Sequence, residues 1–542
     1  MSEAKEIARD QKQEPKSSPL PDVGDLLFIG VMYILLFGRP HFLFQDASIG
    51  WHLQAGKYIF ETRSIPYTDL FSYTFPEKAW VAYEWLFDLI AYLLTLAGGY
   101  NLLAVAVAGF IALVLTKMYD KTRDNGGGLA IATFASLTAI LASAVHWLAR
   151  PHIVTFLAVS SFVALLESFQ RGQLSRSKLY VYLCLLMLLW VNCHPAFLLG
   201  IVLIGAYFAV NLILALVQKT PFTRCRDLFG AGLLVSATTL LNPYGWNLHI
   251  YIFKYLRGSS IIEKTDEFLS PVFHDDIHAL CLEILILLFV VGLTISKRKL
   301  SAPYLAVTML FLHLSLSAVR NIPLFALVVT PAIGFLFAEN NLAERIRPVT
   351  TGFLARLKVS LTEFDAQEKL SRMRILSIAY FLIMAAAALS GGNLLGIVNL
   401  DAGYDKTKIP TTTLSYIKEQ HLAYNRGFNY DNWGGLIRYD LDQRVFIDDR
   451  ADFYGEAFYN QYGTVVETRP GWEAILDKHK IEWILMPSNT KLVLALKKEP
   501  GWKLAASDAA SSLFVRTEGR APVAKNQTPL EDEDSSQNPV GQ

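Results

Sequence analysis

Residues 26–53 read LLFIGVMYILLFGRPHFLFQDASIGWHL, an apolar run followed directly by an acidic and aromatic segment. A run of this length suits a membrane helix, because about 20 apolar residues cross a hydrocarbon core of about 30 Å. The run ends in Phe-Leu-Phe rather than in small residues, so we interpret it as a retained signal-anchor helix and not as a cleaved signal peptide. This stretch therefore predicts a membrane protein whose first helix is followed by a polar loop.

The composition of the whole chain agrees with a multi-pass membrane protein. Of the 542 residues, 53% are apolar and 18% are charged, whereas soluble domains average about 25% charged residues. The formal net charge of +1 gives no electrostatic reason to expect a nucleic acid partner. The four cysteines lack Cys-x-x-Cys spacing, which argues against a zinc site and against a disulfide framework.

Eleven apolar segments are candidate membrane spans, and the basic loops between them set the orientation. Four short loops carry three Lys or Arg residues each, and a fifth, 339–374, carries seven. Such loops mark the cytoplasmic side, and all five lie there only if the apolar segment 85–98 stays on the outer surface. The candidate spans are 25–44, 101–116, 129–148, 153–168, 180–193, 196–218, 228–242, 279–296, 302–319, 321–338 and 375–397.

This orientation predicts four parts of the chain. They are a disordered cytoplasmic N-terminus at 1–24, a membrane domain at 25–397 with external loops 45–100 and 243–278, an external α/β domain at 398–516 and a disordered tail at 517–542. In the external domain, apolar alternation predicts strands at 444–448, 481–486, 502–506 and 513–516, and helices at 471–480 and 491–498.

Polar residues gather where the odd-numbered spans meet the outer surface. The first external loop holds Asp46, His52 and Glu84, with Trp51 and Trp85 beside them. Ionisable groups at membrane depth are costly and commonly mark function, and separate structural roles would not place them on one face. We therefore expect one shared site. The third, fifth, seventh and ninth spans deliver Ala149-Arg150-Pro151-His152, Asn192-Cys193-His194-Pro195, Asn242-Pro243-Tyr244-Gly245 and Arg320-Asn321-Ile322-Pro323.

The residue types at this face fit a ligand with an anionic, lipid-linked head. Arg150 and Arg320 suit a phosphate group, with His152 and His52 as further binding residues. Asp46 is the candidate general base, with Glu84 as the second catalytic acid, and Asp46 and His52 are the candidate ligands if a divalent metal binds. The residues expected to line the substrate are Trp51, Trp85, Asn192, His194, Asn242, Tyr244 and Asn321.

Each of these residues also has a structural interpretation. Trp and Tyr residues at a membrane boundary commonly serve as interfacial anchors, and an Arg at a helix end commonly contacts ordinary lipid phosphate. Asp46, Asn192 and Asn242 stand where helix caps are expected.

Three longer motifs stand in the first loop and in the C-terminal domain. The first loop contains Gly50-Trp-His-Leu-Gln-Ala-Gly-Lys-Tyr-Ile59 and Ile65-Pro-Tyr-Thr-Asp-Leu-Phe-Ser-Tyr-Thr74, and the C-terminal domain contains Val445-Phe-Ile-Asp-Asp-Arg-Ala-Asp-Phe-Tyr454. In their order along residues 25–516, the motifs resemble those of a bacterial branch of the GT-C glycosyltransferases, related to the protein O-mannosyltransferases. The resemblance implies an α-helical GT-C-like bundle of about eleven transmembrane helices, with a large first external loop and a small α/β C-terminal extracytoplasmic domain.

The resemblance also implies an activity. GT-C enzymes of this kind transfer a sugar from a polyprenyl-phosphate donor to a glycan, lipid or protein acceptor, here at the periplasmic face of a bacterial inner membrane. The acidic residue of the family's first loop maps onto Asp46, and its phosphate-binding basic residues map onto Arg150 and Arg320. Protein O-mannosyltransferases have an adjacent Asp-Glu pair in this loop, whereas Ala47 follows Asp46 here. Some relatives use a divalent metal and others do not, so a metal cofactor stays open.

Two other functions stay open from the sequence. A transporter or flippase of lipid-linked glycan would use the outer polar cluster as one end of a path, although the chain shows neither an internal repeat nor many ionisable residues at mid-span. A non-catalytic assembly protein would use the external domain to bind a partner. Its contact would be the acidic group Asp448, Asp449 and Asp452 with Arg450. The same group is also interpreted as a turn stabilised by Asp–Arg pairing or as a minor cation site.

Overall fold

In the computed structural model of the chain, the described residues are 21–257, 266–338, 365, 368, 374–422 and 425–517. The predicted disordered ends at 1–24 and 517–542 lie almost wholly outside these ranges, as does most of the basic loop 339–374.

Apolar helices form the first part of the chain, and each candidate span falls on one of them. Among the described residues, six helices are long and apolar enough to cross a membrane, so the chain is an integral membrane protein and the total of eleven spans stays a prediction. The helices are α1 (Val23–Tyr33), α2 (Ile49–Thr62), α3 (Trp85–Asp124), α4 (Leu129–Ser143), α5 (His152–Gln170), α6 (Arg176–Val191), α7 (Leu198–Gln218), α8 (Thr223–Thr238), α9 (Trp246–Arg257), α10 (Ile277–Ile295), α11 (Ala302–Ser317), α12 (Ile322–Phe337) and α13 (Ile375–Leu389).

Helix α3 combines the surface segment 85–98 with the following span and bends between them. Its backbone leaves the helical region at Gly98 (φ −152°) and at Gly99 (φ 63°, ψ −163°). A positive φ of this kind favours glycine, which has no Cβ to clash with the backbone. The segment 85–98 is therefore a separate helical piece that meets the span at a glycine bend, which keeps its N-terminal end beside α2.

The C-terminal domain contains short helices around a four-stranded sheet of order β3-β4-β6-β5. Strand β3 runs parallel to β4, and the other neighbours are antiparallel. Its elements are α14 (Thr411–Glu419), α15 (Gly434–Leu441), α16 (Ala451–Tyr454), α17 (Glu456–Val466), α18 (Trp472–Lys478), α19 (Lys491–Leu496), β3 (Gly427–Asn429), β4 (Trp483–Pro487), β5 (Trp502–Ser507) and β6 (Ser511–Arg516), after a hairpin of β1 (Asn393–Leu394) and β2 (Val398–Asn399). Three of the four predicted strands and both predicted helices are present.

The predicted strand at 444–448 is wrong, and the reason is a contact with the first loop. Val445 forms an isolated bridge with Ser72 instead of joining the sheet. The amide of Val445 donates to the carbonyl of Phe71 at 2.9 Å, and the amide of Tyr73 donates to the carbonyl of Val445 at 3.0 Å. The extended backbone that the sequence indicates is therefore real, but its partner lies about 370 residues earlier in the chain.

Helices α2 and α15 hold the C-terminal domain against the first loop by close backbone contact. A Cβ added at Gly50 would lie 2.5 Å from the backbone nitrogen of Leu436, and one added at Gly435 would lie 2.7 Å from that of Trp51. Further along, Lys78 Nζ donates to the carbonyl of Phe453 at 2.6 Å. The first loop and the C-terminal domain are therefore packed as one unit.

Gly50→Ala is expected to weaken this packing, because its new methyl group has no room against the α15 backbone. Overpacking of this kind costs about 1–3 kcal/mol, which should appear as a lower thermal midpoint of the detergent-purified protein and faster tryptic cleavage of the C-terminal domain. Gly30→Ala is the control, since nothing lies within 4 Å of a Cβ at that position. Equal thermal midpoints for the Gly50 variant and the wild type would contradict the tight contact.

Candidate functional site

Arg150 is the centre of the site and meets carboxylates from three separate segments. Its guanidinium pairs with Asp46 and lies 3.4 Å from Asp449 Oδ2 and 3.6 Å from Glu267 Oε1. Ser48 Oγ joins two of these groups, because it accepts a hydrogen bond from Arg150 and donates one to Asp449. We call these five residues the Arg150 cluster.

Local backbone structure positions the first-loop side of this cluster. The Asp46 carboxylate accepts a hydrogen bond of 2.6 Å from the amide of Ser48 through Oδ1, which leaves Oδ2 for Arg150. The amide of Ala47 donates to Asn432 Oδ1 of the C-terminal domain at 3.3 Å. Asp46 is thus held in a tight turn between the end of the first helix and the C-terminal domain.

A buried ion-pair network holds the turn that delivers Asp449. Arg450 Nη2 lies 2.7 Å from both Asp69 Oδ1 and Asp448 Oδ2, and Tyr454 donates to Asp448 at 2.9 Å. Asp69, Asp448 and Arg450 are at most 5% exposed. The Asp–Arg pairing expected for this acidic segment is present, and the segment packs against the first loop instead of offering an open surface to a partner.

A second polar group lies around Glu84. His52 Nδ1 is 2.7 Å from Asp88 Oδ1, and the Glu84 carboxylate is 4.0 Å from His52 Nδ1 and 3.9 Å from His194 Nε2. All four residues are buried, and Trp51 stacks on the His52 ring at 3.6 Å between centroids. We call His52, Glu84, Asp88 and His194 the Glu84 cluster.

The two clusters act on each other electrostatically. Burial raises the pKa of Glu84 well above its usual value; the Arg150 charge opposes the rise, and Asp452 adds to it. Burial likewise lowers the pKa of His52, and the Arg150 charge lowers it further. His52, Glu84 and Arg150 therefore share one charged environment.

The proton equilibrium of Asp449 is shifted towards neutral pH. Burial raises its pKa to about 7, while the Arg150 charge opposes the rise and the Asp46 charge adds to it. A carboxyl with this pKa changes its charge near physiological pH, so it can accept or release a proton as the local charge changes.

The side chains of several predicted lining residues form hydrogen bonds that hold loops and turns in place. Asn192 Oδ1 accepts from Trp85 Nε1 at 2.8 Å, and Tyr244 donates to the carbonyl of Pro66 at 2.6 Å. The Asn242 side chain donates to carbonyls of its own turn at 2.8 and 3.1 Å. Among the described contacts, these side chains form no direct bond with the Arg150 cluster.

The remaining predicted residues lie at the edge of the site. Arg320 Nη1 is 4.0 Å from Glu267 Oε2, which links it to the Arg150 cluster through a shared carboxylate. His152 Nε2 lies 2.8 Å from the carbonyl of His146, and Asn321 Nδ2 donates to the carbonyl of Leu314 at 3.1 Å. Of these three residues, Arg320 is the one that extends the positive charge at the site.

The donor set does not fit a metal ion between Asp46 and His52. Asp46 is paired with Arg150 and His52 with Asp88, so the two candidate ligands belong to different clusters. Within the described parts of the chain, no group of three His, Cys, Asp or Glu side chains is arranged to hold a metal. The Arg150 guanidinium supplies the positive charge between the carboxylates of Asp46 and Asp449.

Sequence reasoning missed three members of the Arg150 cluster, which are Ser48, Glu267 and Asp449. The sequence places Asp449 in a partner contact or in a turn stabilised by Asp–Arg pairing, although the motif 445–454 around it indicates a site residue. Glu267 stands in a loop with no recognisable motif around it, so no signal in the sequence identifies it. Both acids reach Arg150 through long-range packing, which local patterns do not encode.

Comparisons with known proteins show the fold. No protein-family model and no curated protein matches the sequence. The archaeal oligosaccharyltransferase AglB from Archaeoglobus fulgidus, solved with an inhibitory peptide and a dolichol-phosphate, is similar with a TM-score of 0.53 at 13% identity, over 93% of this chain and 75% of that chain. ArnT from Cupriavidus metallidurans, solved bound to undecaprenyl phosphate, gives 0.51 at 13% identity, over 91% of this chain and 98% of that one. The chain therefore has the GT-C fold that the resemblance of its motifs implies.

Proposed function

We propose that the protein is a membrane glycosyltransferase that moves a sugar from a polyprenyl-phosphate donor to an acceptor at the periplasmic face of a bacterial inner membrane. The observation that carries this proposal is the pairing of Asp46 with Arg150 at one end of a GT-C bundle. Two proteins with this fold have been solved with a dolichol-phosphate and with undecaprenyl phosphate. This supports a polyprenyl phosphate as the donor carrier.

The proposed reaction needs groups that stabilise the phosphate charge, remove the acceptor proton and bind the sugar. The acceptor oxygen or nitrogen forms a bond to the anomeric carbon as the bond from that carbon to the phosphate oxygen breaks, and the electron pair leaves on the phosphate. Arg150, with Arg320 nearby, would stabilise that phosphate charge, and Asp46 would take the acceptor proton. Glu84 would bind sugar hydroxyl groups from its position between the imidazoles of His52 and His194.

Arg150→Ala is expected to weaken the binding of undecaprenyl phosphate by about 10- to 100-fold, the range of a lost charge-assisted hydrogen bond. Binding can be measured on the detergent-purified protein by native mass spectrometry at increasing lipid concentration. Arg320→Ala should have a smaller effect in the same direction. Arg320 lies at the edge of the site and is linked to the Arg150 cluster through the carboxylate of Glu267. Equal affinities for Arg150→Ala and the wild type would contradict the proposed phosphate site.

A further inference from the structure

We infer that Asp449 of the C-terminal domain competes with the donor phosphate for Arg150, so that donor binding displaces this carboxylate from the guanidinium. The inference rests on the proposed function and adds a role for the C-terminal domain. Its Asp449 carboxylate would occupy the phosphate site until the donor binds. Its consequence is that removing the Asp449 charge tightens phosphate binding.

The charge balance of the site supports displacement. Among the described residues, two guanidinium groups, Arg150 and Arg320, face the three carboxylates of Asp46, Glu267 and Asp449. A phosphate would add a further negative charge to a site that already has an excess of acid. Because like charges at close range are strongly unfavourable where water is scarce, the phosphate enters more readily if one carboxylate gives up its contact.

Asp449 is held by Arg150 less closely than Asp46 is, and unlike Glu267 it has no ionic contact with Arg320 among the described residues. Asp46 is in direct contact with Arg150 and is also held by the amide of Ser48 at 2.6 Å, whereas the contact of Asp449 with Arg150 measures 3.4 Å. Asp449 Oδ1 has no hydrogen-bond partner within the described residues. Its other oxygen accepts a hydrogen bond from the Ser48 hydroxyl, which in turn accepts one from Arg150.

Proton uptake would further reduce the cost of release. Burial already raises the pKa of Asp449 to about 7 with the Arg150 charge beside it, so losing that charge to a phosphate raises the pKa further. The displaced carboxyl then becomes neutral instead of remaining as a buried, unpaired charge. The ionisable groups that act on Asp449 or respond to its charge from the surrounding elements are Asp46, Glu84, Arg150, Asp448 and Tyr459.

The test compares undecaprenyl phosphate affinities of the full-length protein and three variants at about pH 8, where a carboxyl with a pKa of about 7 is mostly ionised. Asp449→Asn is expected to bind about 3- to 10-fold more tightly than the wild type, because it keeps the shape of the side chain and removes its charge. Asp452→Asn is the matched control, because it makes the same charge change three residues away and its side chain bonds with Tyr251 instead of Arg150. It should show no comparable tightening.

Ser48→Ala provides an independent variant if Asp449→Asn does not fold. It removes the hydroxyl that joins Asp449 to Arg150, so its affinity should also rise. Unchanged or weaker binding in the folded variants, with normal wild-type binding, would overturn this inference and leave the proposed function intact. Lack of saturable binding in every protein, wild type included, would overturn both.

Discussion

Asp46→Asn is expected to lower sugar transfer by about 10²- to 10⁴-fold, the contribution that a positioned general base commonly makes. Asparagine has the same shape and can still accept the hydrogen bond from the amide of Ser48, but it cannot take the acceptor proton. The measurement is the release of polyprenyl phosphate from a panel of polyprenyl-phosphate-linked hexoses and pentoses, in membranes that retain their natural acceptors. The fold should stay intact, as judged by an unchanged thermal midpoint.

A matched control separates loss of the base from a general loss of charge. Asp442→Asn makes the same change at an exposed side chain that pairs with Arg438, and its transfer rate should equal that of the wild type. Wild-type turnover by Asp46→Asn would remove Asp46 from catalysis. Movement of the lipid-linked sugar across the membrane without a covalent product would favour a transporter instead.

Arg450→Met is expected to destabilise the contact between the C-terminal domain and the first loop by about 3–5 kcal/mol, the usual cost of removing one partner of a buried ion pair. Asp69 and Asp448 would remain as buried carboxylates without their cation. The variant would also lose the contact of the guanidinium with the Phe71 ring, whose centroid lies 4.1 Å away. Because Asp449 stands next in the chain, the Arg150 cluster should loosen as well.

The loss should appear as a marked fall in the thermal midpoint and as rapid tryptic cleavage that releases the C-terminal domain. Lys491→Met is the control, since its partner Glu467 forms an exposed pair at 2.5 Å that water and salt screen. Its thermal midpoint should match the wild type. A midpoint for Arg450→Met as high as that of the Lys491 variant would show that the network does not hold the domain in place.

The helical part of the fold follows from the sequence because each membrane helix is encoded locally. An apolar run of sufficient length predicts its own helix, so every candidate span falls on one in the structure. Where the sequence prediction is wrong, a distant partner decides the outcome. The segment 444–448 has the composition of a strand, but Val445 pairs with Ser72 of the first loop, and no local pattern contains that information.

The candidate site, like the fold, is predicted from the sequence only in part. Basic-loop topology places the residues that follow alternating spans on one face, and this was sufficient to associate Asp46 with Arg150 and Glu84 with His194. The topology alone does not separate side chains that face the site from side chains that hold loops and turns in place, because the two groups are both polar residues near prolines. Asn242, for example, uses its amide within its own turn.

The most direct test is a structure of the protein determined by electron cryo-microscopy in a lipid nanodisc with undecaprenyl phosphate. The account predicts density for the phosphate within hydrogen-bonding distance of the Arg150 guanidinium, on the side that faces Asp46, with the Asp449 carboxylate moved away from Arg150. Phosphate density elsewhere on the protein, with Arg150 still bound to Asp46, Ser48 and Asp449, would contradict it.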